Sequence, residues 1–181
     1  MKDLSYCPSC GKQTLKYVNN RKWVCSSCNL SLYNNVAAAV GLIIIIKDKD
    51  DDKVLLIKRG KNPQKGKLAV PGGFVDPGES AEEAAKRECK EEIGLTPSKI
   101  EYLTSATNNY SYKEIDYITC DIFFLATIEE DNNINIINKL VAEDENEITG
   151  YVLSTLNKKE DIDKIDLAFG SAKVALSKLF E

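Results

Sequence analysis

The alternation of hydrophobic and polar positions predicts four strands in the middle of the chain. Apolar runs at 36–46 and 54–58 flank a charged turn, and both are long enough to form buried strands. Segments 100–106 and 117–128 have strand-like patterns further on, the second with polar residues such as Asp121 between apolar neighbours. The pattern therefore predicts a sheet with apolar interior strands.

Two segments carry helical signals. Residues 80–95 start at Ser80, a good N-cap that Glu83 extends to a capping box, and Gly94 supplies the stop. A second helix is predicted at 166–180. Its apolar positions recur at roughly helical spacing and should face the core. They are Leu167, Val174, Leu176 and Leu179.

One face of the first helix concentrates negative charge. Glu88, Glu91 and Glu92 stand at i, i+3 and i+4, so their carboxylates lie on neighbouring turns and repel one another. Ala85 and Cys89 share that face and should point inward. Partly buried anions need a compensating charge, and a hard divalent cation held by oxygen atoms would provide it.

The glycine-rich loop before this helix completes a motif. Over 23 residues the segment resembles the Nudix box, a glycine, a glutamate and an Arg-Glu-x-x-Glu-Glu-x-Gly core at fixed spacing. Cys89 stands where the motif has a larger aliphatic residue. An ordinary acidic surface helix, with Glu83 and Arg87 as an i, i+4 pair, is the simpler alternative. The matching positions are Gly73, Glu79, Arg87, Glu88, Glu91, Glu92, Gly94 and Leu95.

The resemblance to Nudix hydrolases implies a site for magnesium or manganese. In such enzymes the backbone carbonyl at Gly72 and the carboxylates of Glu88 and Glu92 would bind the metal. A further acidic ligand usually comes from outside the box, and the acidic segment 143–147 offers candidates, of which we choose Glu147. An acidic surface loop is the alternative interpretation of that segment.

The resemblance also assigns roles to three other side chains of the box. Glu91 would bind a metal through water or act as the general base, and Glu79 and Arg87 would brace the loop against the helix. The chain contains no histidine. Activation of water near neutral pH therefore has to come from a carboxylate, a metal ion or both.

Four of the six cysteines form two C-x-x-C pairs separated by fourteen residues, the spacing of a zinc ribbon. Gly11 and Asn29 follow the pairs and tolerate the left-handed backbone that a turn around a thiolate needs. Disulfides are the alternative, which a reducing compartment disfavours. Cys89 and Cys120 are interpreted as small core residues. The four ribbon ligands are Cys7, Cys10, Cys25 and Cys28.

A four-cysteine ribbon directly before a Nudix box resembles the NADH pyrophosphatases. In that subfamily a tyrosine shortly after the last zinc cysteine contacts the substrate, and Tyr33 has the matching position. Two features depart from the subfamily: Asn34 and Asn35 replace a Pro-Arg pair, and the downstream Ser-Gln-Pro-Trp signature is absent. Tyr110, Tyr112 and Tyr117 lie near that missing signature and could supply aromatic contacts instead.

Charge is distributed unevenly along the chain. In residues 1–28 five cations oppose one anion, which gives +4 and leaves −8 for the remainder of a chain whose net charge is −4. A basic ribbon suggests nucleic acid as a partner, but the cations also suit a solvated surface, which we favour. Trp23 is the ribbon's one candidate for an exposed stacking aromatic.

The start of the chain is polar, unlike a signal peptide, and the longest apolar run is too short to span a bilayer. We therefore expect a cytoplasmic protein that makes no membrane contact. The oligomeric state stays open, with a homodimer as one option.

These features predict an α+β protein: a Nudix α/β/α sandwich at 34–181 preceded by a zinc ribbon at 1–33, whose two strands at 13–18 and 21–24 are followed by a linker at 31–35. The expected activity is metal-dependent hydrolysis of a nucleoside diphosphate linked to another moiety, such as NAD(H) or ADP-ribose. Two alternatives remain: hydrolysis of nucleoside triphosphates, and a nucleic-acid-binding ribbon on a Nudix scaffold.

Overall fold

The computed structural model describes residues 4–48, 51–113, 115–128 and 134–181. Its first part is a small antiparallel sheet of strands β1 (Leu15–Val18), β2 (Lys22–Cys25) and β3 (Ser31–Tyr33), in that order. The two strands predicted for the ribbon are present. The predicted linker at 31–35 was wrong in its first half, because residues 31–33 pair with β2 as the third strand.

Trp23 is buried in the interior of this small sheet, contrary to the expected exposed position. Its side chain is 3% exposed and packs with Leu15, Cys7 and Cys25. Tyr17 lies against it, with 4.8 Å between ring centroids. The indole is therefore part of the ribbon core, where an apolar ring compensates for the small number of residues available to cover the cysteines.

The second sheet has six strands in the order β6-β5-β4-β8-β7, with β9 paired to β5. Strand β4 runs parallel to β8, and the other neighbours are antiparallel. The strands are β4 (Ala37–Ile46), β5 (Lys53–Arg59), β6 (Leu68–Ala69), β7 (Lys99–Tyr112), β8 (Ile115–Thr127) and β9 (Ile148–Thr155).

Strand β4 divides the interior into two apolar layers because its side chains alternate between the faces of the sheet. Leu42 and Ile44 belong to the cluster that contains helix α1 (Ala81–Ile93), and Ile43 belongs to the cluster that contains helix α2 (Gly170–Ser177). All three side chains are fully buried. The predicted α/β/α sandwich is confirmed.

Helix α1 begins and ends as its sequence predicts. The Ser80 hydroxyl accepts a hydrogen bond from the amide of Glu83, and the Glu83 carboxylate accepts one from the amide of Ser80, which closes the capping box. Gly94 ends the helix with a left-handed φ of 76°, and its amide donates to the Lys90 carbonyl. Local signals thus fix the helix that carries the acidic residues.

The C-terminal helix is shorter than predicted, and its inward face differs. The α-helix begins at Gly170 rather than at 166, and a 3-10 turn at Lys178–Phe180 follows it. Val174 was wrongly predicted to face the core and is 45% exposed. Ala172 and Ala175 are buried in its place, because small side chains let the helix approach the sheet closely.

Other strand and loop predictions need correction in extent. Strands β6 and β9 were not predicted, and β7 extends six residues beyond the predicted end at 106. The Asn-rich loop predicted at 129–138 lies partly outside the described residues, and the rest of it belongs to a 3-10 helix, Ile134–Lys139. A further 3-10 helix is Lys159–Lys164. Among the described residues, no helix combines the length and apolar character that a bilayer span requires.

Candidate active site

A cleft of about 300 Å³ opens between helix α1, strands β4, β7 and β8, and the start of α2. Gly72, Gly73, Arg87, Glu88 and Glu92 of the predicted motif all line it. Its volume lies at the low end of the range of about 300–1,000 Å³ found for ligand pockets. The fold therefore collects most of the residues predicted for the catalytic metal site in one concave surface.

Glycines allow the loop of the motif to lie against β4. Gly72 has a φ of 147°, and a Cβ built on it would lie 2.1 Å from the Val40 carbonyl oxygen. The Val40 amide donates to the Gly73 carbonyl, and the Val75 amide donates to Ala38. A side chain at Gly72 would thus push the loop away from the sheet and widen the cleft.

Arg87 donates five hydrogen bonds, three of which join this loop to the helix. Its guanidinium donates twice to Glu79, at 2.9 and 3.0 Å, and once to the Phe74 carbonyl, at 2.9 Å. It also donates to Glu88 at 2.7 Å and Glu91 at 3.1 Å. The Arg87 contact holds the pKa of Glu79 below its ordinary value. The Glu83–Arg87 pair of the alternative interpretation does not form, because Glu83 closes the capping box instead.

Burial disfavours the ionised form of two of the acidic side chains unless a cation lies beside them. Removal from water raises the pKa of Glu88 and raises that of Glu92 well above its ordinary value. The amide of Gly72 donates to Glu92 at 2.7 Å and partly offsets this effect. The negative charges of Glu88 and Glu147 oppose ionisation of Glu92 further. A bound cation would relieve this repulsion.

Glu147 comes to the same place from the loop before β9. It lines both the main cleft and a neighbouring cavity of about 250 Å³. Lys61 contacts Glu147 at 3.1 Å and Asp144 at 2.6 Å, so two ion pairs hold the loop. The neighbouring cavity is lined almost entirely by acidic residues: Glu88, Glu91, Glu92, Glu143, Asp144 and Glu147, together with Ile148.

Aromatic rings form another wall of the cleft. Tyr110 lies between Phe74, at 5.2 Å edge to face, and Phe169, at 5.7 Å between centroids. The Arg59 guanidinium lies 5.0 Å from the centre of the Phe169 ring. Tyr110 was among the expected aromatic contacts, whereas Tyr112 lies outside this cleft's lining. The Tyr117 side chain is outside the described part of the structure. This wall has the character of a stacking surface for a flat ring.

A buried polar pair lies in the same cleft. Asp121 on β8 and Ser171 on α2 both line it, and the Ser171 hydroxyl donates to Asp121 at 2.5 Å. Asp121 had no predicted role, although an acid within an apolar strand is a usable signal. Ser171 could not be found from local pattern, since it meets Asp121 only through packing of α2 on the sheet.

The four predicted ribbon cysteines converge within the first sheet. Their sulfur atoms all lie within 4.8 Å of one another. Two of the distances are 3.6 Å, from Cys7 to Cys28, and 3.8 Å, from Cys10 to Cys25. Thiolates around one tetrahedral zinc, at about 2.3 Å each, are separated by about 3.8 Å. A disulfide requires about 2.05 Å, so the arrangement suits a metal and not two disulfides.

Backbone turns around the cysteines support this geometry. Gly11 and Asn29 adopt left-handed φ angles of 69° and 60°, as predicted. Their amides donate to the carbonyls of Cys7 and Cys25. The Thr14 hydroxyl, 3.0 Å from the Cys25 sulfur, helps to lower the pKa of that thiol to about 6, whereas the hydrogen bond with Cys25 helps to raise the pKa of Cys28 to about 11. A thiol that ionises readily is a better metal ligand.

Tyr33 lies on β3, away from the described lining of the cleft. Its ring is 49% exposed and lies near the cations of Arg21, at 5.8 Å, and Lys22, at 5.5 Å. Of the other two cysteines, Cys89 is buried in the core as predicted, and Cys120 is half-buried. The predicted substrate contact of Tyr33 therefore stays a prediction.

The raised pKa of Glu92 leads to a test of stability. Below its ordinary pKa the carboxyl is protonated in both the folded and the unfolded chain, and between the ordinary and the raised value only the folded chain holds the proton. The stability that protonated Glu92 contributes to the folded chain is therefore lost as the pH rises through the raised pKa. We expect Glu92→Gln, which cannot ionise, to be more stable than wild type at neutral pH in buffer without magnesium or manganese.

Urea unfolding of both proteins at a series of pH values measures this difference. The advantage of the variant should shrink as pH falls toward 4.5, and added magnesium should stabilise wild type more than the variant. The exposed Glu82→Gln, on the outer side of the same helix, is the matched control and should show neither effect. An advantage that did not change with pH would contradict the assignment to Glu92.

Comparison with known proteins shows which family this chain resembles. Residues 36–169 match the NUDIX domain. The ADP-ribose pyrophosphatase of Methanocaldococcus jannaschii is 43% identical over 97 residues, which cover 54% of this chain and 54% of that protein. The NAD-capped RNA hydrolase of Schizosaccharomyces pombe is 34% identical over 112 residues, covering 55% of this chain and 30% of that protein.

A solved structure agrees at the level of the fold. The NUDIX domain of Shewanella oneidensis NrtR, crystallised with ADP ribose, superposes with a TM-score of 0.60 at 21% identity, covering 81% of this chain and 88% of that one. The chain spans about half or less of the length of the two curated relatives above. Because the domain match covers well over half of the chain and includes strands β4 to β9 and helix α1, the chain belongs to the NUDIX domain family.

Proposed function

We propose that this protein is a metal-dependent pyrophosphohydrolase that cleaves a nucleoside diphosphate linked to another moiety, of the NAD(H) or ADP-ribose type, into two monophosphates. The observation that carries the proposal is a single cleft with two unlike walls. One wall is acidic, with Glu88, Glu92 and Glu147, and the other is aromatic, with Tyr110 and Phe169. A nucleotide has the matching halves, a metal-bound diphosphate and a flat base.

The donor set suits magnesium or manganese, since both prefer oxygen ligands. Glu88, Glu92 and Glu147, with the carbonyl of Gly72, would hold the ion. Its chemistry when bound is to neutralise the diphosphate and to lower the pKa of water. Arg87 engages one oxygen of Glu88, Lys61 one of Glu147 and the Gly72 amide one of Glu92, which leaves the second oxygen of each carboxylate for the ion.

The side chains of the chain itself would perform three tasks. Glu91 is the most exposed acid of the helix face, 41% at its side chain, and is suited to take a proton from the attacking water. Attack forms a bond from the water oxygen to one phosphorus and breaks the bond from that phosphorus to the bridging oxygen, so no covalent enzyme intermediate is needed. Arg87 and Glu79 keep the loop and helix in register for this step.

The same relatives support the choice of substrate class. The curated relatives are an ADP-ribose pyrophosphatase and a hydrolase of NAD-capped RNA, and both names describe an adenine nucleotide joined through a diphosphate to a second group. The aromatic wall of the cleft is compatible with the adenine end. We still expect Tyr33 on the ribbon to contact the second group of the substrate, the part beyond the diphosphate.

We also propose that residues 1–33 form a zinc ribbon and residues 34–181 the Nudix domain. Four thiolates close a tetrahedral site and leave no position for water, so zinc would serve folding and not hydrolysis. Metal-binding energy would be folding energy for a sheet this small.

Protein purified without added metal should contain about one zinc per chain. Elemental analysis measures this directly, and Cys10→Ser should lose the zinc because three thiolates no longer close the site. Cys120→Ser is the control, since Cys120 lies outside the cluster, and should retain it. Bound iron, or a folded ribbon without metal, would contradict the assignment.

Replacing Glu91 or Glu92 by Gln should reduce turnover about a hundredfold or more, on the scale of general-base and metal contributions. The amide keeps the shape and removes a proton acceptor or a ligand charge. We expect a smaller loss for Glu147→Gln and none for Glu82→Gln. Initial rates with magnesium and with manganese check this. Near-wild-type turnover in Glu92→Gln would show that the Nudix box is not the active site.

Among possible substrates, ADP-ribose or NADH should give a higher kcat/KM than any nucleoside triphosphate. The measurement is a comparison of kcat/KM for NADH, NAD, ADP-ribose, diadenosine polyphosphates, NAD-capped RNA and the triphosphates. A triphosphate that led by more than tenfold would favour the alternative of triphosphate hydrolysis. Tight, salt-dependent binding of oligonucleotides without hydrolysis of any compound would favour the nucleic-acid-binding ribbon.

A further inference from the structure

The polar pair in the cleft has no role in the chemistry proposed above. Asp121 is 8% exposed and Ser171 is 2% exposed, yet both line the cavity. The Ser171 hydroxyl donates to one oxygen of Asp121, Oδ2. Among the residues that the structure describes, the bond from Ser171 is the only hydrogen bond of the Asp121 side chain. No lysine or arginine in that part of the chain forms an ion pair with Asp121.

A buried carboxylate with so few partners needs a reason. Taking an anion out of water is costly, and an apolar side chain at this interior position of β8 would have served folding better. Phe123, two residues further along the same face, is such a side chain and is 3% exposed. The unused hydrogen-bonding capacity of Asp121 therefore points to a ligand in the cavity.

The surroundings of the pair match one end of a nucleotide. Asn108 and Thr119 also line the cavity, and the Thr119 hydroxyl is bonded to the backbone carbonyl of Asn108 at 3.4 Å. Tyr110, two residues from Asn108 on β7, presents its ring to the same cavity. An aromatic face and buried polar groups beside each other can hold a planar, polar heterocycle.

We propose that Asp121 reads the base of the substrate by accepting a hydrogen bond from the 6-amino group of adenine. The inference rests on the proposed function and adds its base specificity. A carboxylate only accepts hydrogen bonds, so the group that faces it must donate. Adenine offers N–H there, whereas hypoxanthine offers a carbonyl oxygen that the carboxylate repels.

Ser171 further restricts which base Asp121 can bind. Guanine presents two neighbouring donors, which would need both oxygens of a carboxylate. The Ser171 hydroxyl engages Oδ2 and leaves Oδ1 as the oxygen without a hydrogen bond, which suits the single amino group of adenine. Ser171 is thus a positioning residue, and Asp121 is the residue that sets specificity.

The test compares ADP-ribose with its hypoxanthine analogue, inosine diphosphate ribose. For wild type we expect kcat/KM to favour ADP-ribose at least tenfold. In Asp121→Asn the amide can donate to the 6-oxo group, so the preference should disappear or reverse. Because the ratio is taken within one protein sample, it does not depend on the fraction of the variant that folds. An unchanged ratio in this variant would overturn the proposal.

Two further variants complete the test, one at Ser171 and one as a control. Ser171→Ala frees the second oxygen of Asp121 and should raise kcat/KM for guanosine diphosphate ribose several-fold relative to ADP-ribose. Asp116→Asn changes an exposed acid on the same strand and should leave every ratio at its wild-type value. Wild type that hydrolyses the adenine and hypoxanthine compounds equally overturns the base assignment alone. Wild type that hydrolyses neither of these compounds, nor NADH, NAD or NAD-capped RNA, overturns the proposed function as well.

Discussion

The hydrogen bonds of Arg87 are the interaction on which the rest of the site depends. Three of them hold the glycine-rich loop through Glu79 and Phe74, and two hold acids of the helix face. Charge-assisted bonds of this kind are among the stronger ones in proteins. A single cation therefore sets both the position of the loop and the spacing of carboxylates that would otherwise repel one another.

The sheet supplies the frame in which this loop can lie. Gly41 on β4 has no side chain where Phe123 packs, since a Cβ there would lie 2.5 Å from the ring. Gly72 likewise lets the loop approach the Val40 carbonyl. Close packing at these two glycines brings the acidic end and the aromatic end of the cleft within the reach of one small molecule. Backbone proximity at these glycines makes the site compact.

Local signals explain what could be predicted from the sequence. Ser80, Glu83 and Gly94 determine the limits of α1 through bonds to residues three or four positions away, and the cysteine pairs determine their own turns. The family resemblance supplied Glu147, which sequence spacing alone left among several acids. Signals of this kind depend on neighbours in the chain, so they survive without knowledge of the fold.

Tertiary packing explains what could not be predicted. Strand β3 is only three residues long and exists because β2 is beside it. Val174 faces outward since the sheet accepts Ala172 and Ala175 more closely. Asp121 and Ser171 are fifty positions apart, and nothing near either residue indicates the other.

The buried position of Trp23 has a spectroscopic consequence. It is the only tryptophan in the sequence, and it lies in the ribbon core beside the cysteines. Its fluorescence at long excitation wavelength therefore reports on the ribbon alone, whereas circular dichroism in the far ultraviolet is dominated by the larger sheet and its helices. The two signals separate melting of the ribbon from melting of the larger sheet and its helices in one unmodified sample.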